Sequence, residues 1–140
     1  MSVRAWILVA LTTLVWGITP VIERKVMPGT DLLAGLTYRN TFSALLLIIA
    51  AVVMGKLTTV WTLTTSQYIG LSASAILGGT VGLGLFFAAL KIAPASRIIP
   101  LTATFPMVTY VLSIWLLKEP FTFKGFLGVL FIILGAWMLA

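Results

Sequence analysis

Residues Ile98 to Leu117 read IIPLTATFPMVTYVLSIWLL, an apolar run with Pro106 near its middle. As a helix rising 1.5 Å per residue it covers about 30 Å, the thickness of a bilayer's hydrocarbon core. A proline inside such a helix removes one backbone N–H and crowds the carbonyl four residues back, that of Thr102. In lipid that carbonyl needs another partner, so the segment is expected to face protein or a wet cavity. Thr102, Thr109 and Ser113 stand at i, i+7 and i+11 on the face of Pro106, and Tyr110 flanks it. Two readings fit. The hydroxyls bond their own backbone around an ordinary proline kink, or the face lines a substrate path and the kink is a hinge.

Composition extends this reading to the whole chain. Of 140 residues, 61% are hydrophobic and 9% charged, and the mean hydropathy is +1.17. No water-soluble core of this length is so apolar, which makes the expected class an all-α polytopic membrane protein of one domain, residues 1–140. The formal charge is +6, but the basic residues sit at the ends of apolar runs. There they anchor helices at the interface rather than form a nucleic-acid patch. With no cysteine and no histidine, disulfides, thiol chemistry and histidine metal sites are excluded. Glu23, Asp31 and Glu119 are the only acids, too little material for acid–base catalysis or a carboxylate cage. Neither an enzyme nor a cofactor is expected.

Five transmembrane helices follow from the apolar runs, at about 3–22, 32–54, 68–90, 98–117 and 123–139. The first begins after Arg4 like a secretory signal, but it is long for one and Ile22-Glu23-Arg24-Lys25 offers no small-residue cleavage site. Thr12, Trp16, Thr19 and Glu23 share a face of it. Glu23 lies ~15 Å from the helix midpoint, so the favoured reading is a solvated interfacial acid beside Arg24 and Lys25. Thr30 or Asp31 can cap the second helix. Arg39 is that helix's only charge, two turns inside the run, where an arginine costs ~2.5–3.5 kcal/mol on insertion scales, less if it snorkels. Asp31, Gly35, Arg39 and Phe42 share a face, with Tyr38 beside them. A structural ion pair and a counter-ion in a translocation path both fit Arg39.

The third helix carries Gly70, Ser74, Gly78 and Gly82 at every fourth position, a ladder that lets membrane helices approach closely. Tight packing is the favoured reading, and sliding or bending the other. Gly128 and Gly135 in the fifth helix are seven apart, on one face suited to helix pairing.

The order of these features resembles the EamA-type branch of the drug/metabolite transporter superfamily. The matching pieces are Trp16-Gly17, Arg24 where the family often has lysine, Arg39, Pro106, and Gly128 through Gly135. Lys118-Glu119-Pro120-Phe121-Thr122 resembles the family's Gly-Glu-Arg-Leu-Thr turn, with Lys118 and Pro120 departing from it. Typical members carry ten helices as two repeats of opposite orientation, and the resemblance implies that this chain is one repeat. More distantly it resembles the small multidrug resistance exporters, four-helix chains that pair as antiparallel dimers. A glutamate deep in their first helix binds proton and drug; Glu23 is on that helix but nearer its end.

The expected function is export or exchange of a small metabolite or drug by alternating access. The chain is expected in the cell (inner) membrane, with the lipid bilayer and a small-molecule substrate as partners and no nucleic acid. The candidate path residues are Trp16, Thr19, Glu23, Tyr38, Arg39, Thr102, Pro106, Thr109, Tyr110 and Ser113. A lipid-linked sugar flippase subunit and a non-transporting assembly module are the alternatives. Five spans put the termini on opposite sides, with Arg4, Lys56, Lys118 and Lys124 on one side and Arg24, Lys25, Lys91 and Arg97 on the other. That balance, four against four, or four against five with Arg39 credited to the nearer face, sets no orientation. An antiparallel homodimer is therefore expected, helix 5 leading the contact, with a parallel dimer or a separately encoded half as the other possibilities.

Overall fold

The computed structural model describes residues 2–139, which are helical with no strand among them. Four helices are long and apolar enough to cross a membrane: α1 (Val3–Val26), α2 (Leu32–Val53), α3 (Thr65–Ile92) and α4 (Ala95–Leu116). The fifth, α5 (Phe123–Met138), is apolar but has 16 residues. It rises about 24 Å, short of a ~30 Å hydrocarbon core. The described residues group into two compact units, one of Lys25–Lys91 and one of α1 through Arg24 with everything from Ile92 onward.

In the Lys25–Lys91 unit the helix ends are closed by side-chain and backbone caps. Asp31 accepts the Ala34 N–H at 2.9 Å and starts α2. At its other end Lys56 N–H reaches the Ala51 carbonyl at 2.7 Å and Gly55 N–H the Val52 carbonyl at 3.0 Å. This Schellman pair needs a left-handed residue, and Gly55 supplies it with φ +63°. A capping box between Thr64 and Gln67 starts α3 at Thr65, three residues before the expected Tyr68. α2 and α3 meet where Gly84 lets Leu36 approach, its Cδ1 being 3.5 Å from the place a Cβ would take. Lys91 Nζ donates to the Thr30 carbonyl at 2.8 Å, tying the end of α3 to the turn before α2. Phe87 and Leu90 are the largest fully buried side chains. Between Ala75 and Gly82, α3 widens into a π-helix.

In the other unit α4 is interrupted. It runs as Ala95–Thr102 and Phe105–Leu116, parted by a turn at Ala103 and Thr104. Pro106 therefore stands in the first turn of the second half, where its missing N–H falls among groups that have no intrahelical acceptor. That corrects the expectation of a proline kinking one continuous helix from its interior: the chain breaks first and the proline restarts it. Pro100 lies inside the first half.

The link from α4 to α5 is a tight hairpin. Tyr110 Oη donates to the Thr122 carbonyl at 2.7 Å and accepts the Thr122 N–H at 3.1 Å, while the Thr122 hydroxyl caps α5 at Gly125 N–H. A Cβ on Gly125 would lie 2.7 Å from Thr122 Oγ1 and 2.9 Å from Tyr110 Cε2. Lys118 turns the chain out of α4 with φ +57°, a left-handed conformation that costs a side-chain-bearing residue about 1–2 kcal/mol. Glycine takes that conformation freely, which gives the departure at Lys118 a physical meaning.

Two outcomes follow for thermal unfolding in detergent micelles. Lys118→Gly should stabilise the chain by about 1 kcal/mol by relieving the left-handed backbone. Gly125→Ala should destabilise it by about 1–3 kcal/mol through overpacking against Tyr110 and Thr122. An unchanged midpoint for either variant contradicts this account of the hairpin.

Candidate substrate-contacting residues

The candidate residues separate by unit. On α1, Trp16, Thr19, Pro20 and Glu23 share a side, and enclosure grows along it. Trp16 is 67% exposed, Thr19 half-buried and Pro20 buried, while Glu23 retains 7% exposure. The expectation of a solvated Glu23 is thus corrected. The helix runs one turn further than Ile22, to Val26, and so carries the carboxylate within it rather than at its frayed end. A buried charge is tolerated where its oxygens are bonded, and among the described residues no buried side-chain N or O lacks a partner.

Most hydroxyls in this unit bond their own helix. Thr12 donates to Leu8, Thr19 to Val15 (both 2.9 Å) and Thr102 to Ile98 (2.7 Å). Ser113 donates to the Tyr110 carbonyl at 3.2 Å. Thr109 is exposed, Pro106 and Tyr110 half-buried, and Tyr110 is committed to the hairpin. Of the two readings for this face, the backbone-bonded one describes Thr102 and Ser113. A hydroxyl whose hydrogen is spent still offers oxygen lone pairs, so these side chains can accept from a ligand but not donate to it.

In the Lys25–Lys91 unit, α2 shows two different sides. Tyr38, 73% exposed, stacks on Phe42 with centroids 6.1 Å apart and rings 12° from parallel. They border an open concavity of about 740 Å³ running from Asp31 to Leu45 along Ala34, Thr37 and Thr41. Arg39 leans toward α3 instead. Its Cζ lies 6.0 Å from the centroid of the buried Phe87 ring, at the outer reach of a cation–π contact. Its Nη1 is 3.4 Å from Asn40 Oδ1. Tyr38 and Arg39, expected side by side in one path, are thus turned to different sides of α2.

Asn40 was not among the expected residues. Its Nδ2 donates to the Gly79 carbonyl in the π segment at 3.0 Å. The available signal was an amide beside the only charge of an apolar run, with a Gly-Gly pair in the next helix. Of the glycine ladder, a Cβ on Gly70 or Gly78 would meet nothing within 4 Å, and one on Gly82 only its own helix. Gly128 and Gly135 are equally open, and Ser74 is exposed. Among the described residues of its own unit, none of these glycines is closed off by a neighbouring helix.

The family described as the EamA-like transporter family matches residues 3–140. The chain belongs to it. This EamA-like protein is therefore a multi-pass membrane protein of a family of small-molecule transporters, not enzymes. No curated protein and no solved structure matches it.

The contrast between the rings facing α2's two sides is measurable. Phe87→Ala should cost about 3–5 kcal/mol, as for a large-to-small change in a packed core. Tyr38→Ala should stay within about 0.5 kcal/mol. Unfolding of the two variants in the same detergent compares them, and equal losses would contradict the assignment of Tyr38 to an open side.

Proposed function

We propose that this EamA-like protein exports or exchanges a small metabolite or drug across the cell (inner) membrane by alternating access, as an antiparallel homodimer. The observation that carries the transport reading is Arg39. A guanidinium inside a membrane-spanning helix is expensive and marks a substrate or ion path by default. Here it remains exposed on α2 between a buried aromatic ring and a polar amide. In this reading Arg39 is a counter-ion for substrate, and Trp16, Thr19, Glu23 and Tyr38 line the path with Thr102, Pro106, Thr109, Tyr110 and Ser113. The interruption of α4 at Ala103 and Thr104 supplies the hinge.

The dimer reading rests on three supports. Arg39 aside, the basic residues divide four and four between the two sides that five spans would define. Few of the described side chains are buried in either unit: Met27, Phe87 and Leu90 in one, Pro20, Glu23 and Ala136 in the other. Gly128 and Gly135 present an open face on α5. The open apolar concavity along α2 favours a second reading, a flippase subunit for a lipid-linked sugar, because an amphipathic substrate can enter such a side from the bilayer.

Reconstitution into liposomes with amino acids, drugs and lipid-linked sugars distinguishes the two substrate classes. Arg39→Leu should insert normally yet lose transport, and full transport by the variant would refute the counter-ion role. Pro106→Ala should slow turnover more than it lowers expression, whereas unchanged turnover would leave the break in α4 a packing detail. An N-terminal tag labelled from each side of sealed vesicles should react from both. Reaction from one side only would refute the dual-topology homodimer.

A further inference from the structure

Among the described residues, the π segment of α3 is the one place where a membrane-spanning helix departs from the i→i−4 pattern over two turns. Leu83 N–H reaches the Gly78 carbonyl, a bond that encloses one residue more than an α turn. We propose that α3 has two registers, the π form seen here and a regular α form. Switching between them turns its first half, Thr65–Ser74, against its second, Leu83–Ile92. This concerns the helix itself and stands whether or not Arg39 contacts a substrate.

Sterics make the wide form dependent on one glycine. A Cβ on Gly82 would come within 2.8 Å of the Leu77 carbonyl oxygen, a backbone atom that cannot step aside without changing the turn. An α-helix accepts alanine at any interior position, and alanine is its best former. Gly82→Ala therefore acts on the register: it penalises the π form and favours the α form.

A second element holds the wide form from outside. Asn40 Nδ2 on α2 donates to the Gly79 carbonyl, within the π run, at 3.0 Å. Interhelical bonds of this kind are individually weak in membrane proteins, so this one biases the register without locking it. π segments recur at functional sites, mostly as single-turn bulges, and an eight-residue run exceeds that.

The anchoring of the two halves decides which one moves. The second half holds Phe87 and Leu90, 1% and 0% exposed, and Lys91 is bonded to the Thr30 carbonyl. The first half buries no residue. Its Tyr68 hydroxyl bonds the Val60 carbonyl in the connecting segment that precedes it. Expelling one residue from the wide turn rotates the first half by about 100° and shifts it ~1.5 Å along the axis.

The chain contains no cysteine, so spin labels can be placed on introduced cysteines in the protein in liposomes. One label goes at Leu47 on α2, and the other at Leu71 or at Ile69, all exposed positions. Ile69 and Leu71 lie about 200° apart around the helix, so a rotation cannot leave both distances unchanged. At a helix radius of ~5–6 Å a 100° turn moves a label by roughly 8 Å. A Leu47–Leu85 pair reports the anchored half.

Electron–electron distance measurements should show Gly82→Ala moving most of the Leu71 and Ile69 distributions to new values while Leu85 stays in place. Asn40→Leu should populate the same new distances to a smaller extent. Unchanged Leu71 and Ile69 distances in both variants would overturn the proposal, as would an equal shift at Leu85, which means the whole helix has moved. Should Gly82→Ala fail to insert, the Asn40→Leu distances decide by the same criterion.

Discussion

Every backbone N–H and C=O in the hydrocarbon region must find a partner inside the protein, because lipid supplies none. That constraint explains why threonines in α1 and α4 turn their hydroxyls onto carbonyls four residues back. It explains why α2 ends in a Schellman pair. It also explains why Thr122, between two helices, has its N–H and its C=O both bonded by one tyrosine hydroxyl, the C=O also accepting the Phe126 N–H. Where the regular ladder is given up, a side chain intervenes: Asn40 reaches the π segment of α3. At the break in α4 the chain closes its own turn, Thr104 N–H bonding the Leu101 carbonyl at 3.2 Å and Met107 N–H the Thr104 carbonyl at 3.0 Å.

Apolar run length made the helical membrane class legible, since a bilayer demands uninterrupted hydrophobicity over a fixed span. Asp31 as a cap was legible for a local reason, an acid placed just before an apolar run. The start of α3 at Thr65 was missed because Thr64 and Gln67 look like loop residues until they are seen to bond each other. Pro106 was legible as a disruption but not as a restart, because a proline in a helix interior and one in a first turn are written with the same letter. Four-residue glycine spacing suggested a small-residue ladder along one face of α3. The spacing presumes 3.6 residues per turn, and a π segment through Gly78, Gly79 and Gly82 breaks that presumption.

The two charges inside α1 and α2 were harder to read, because burial is a tertiary property. Distance along the helix put Glu23 near the interface, yet its side chain is enclosed. Arg39 illustrates the converse. It was legible as costly from its position alone, but only the structure turns it toward Phe87 and away from Tyr38. Adjacent residues on a helix lie 100° apart, and that angle separates an aromatic-lined open side from one facing the neighbouring helix.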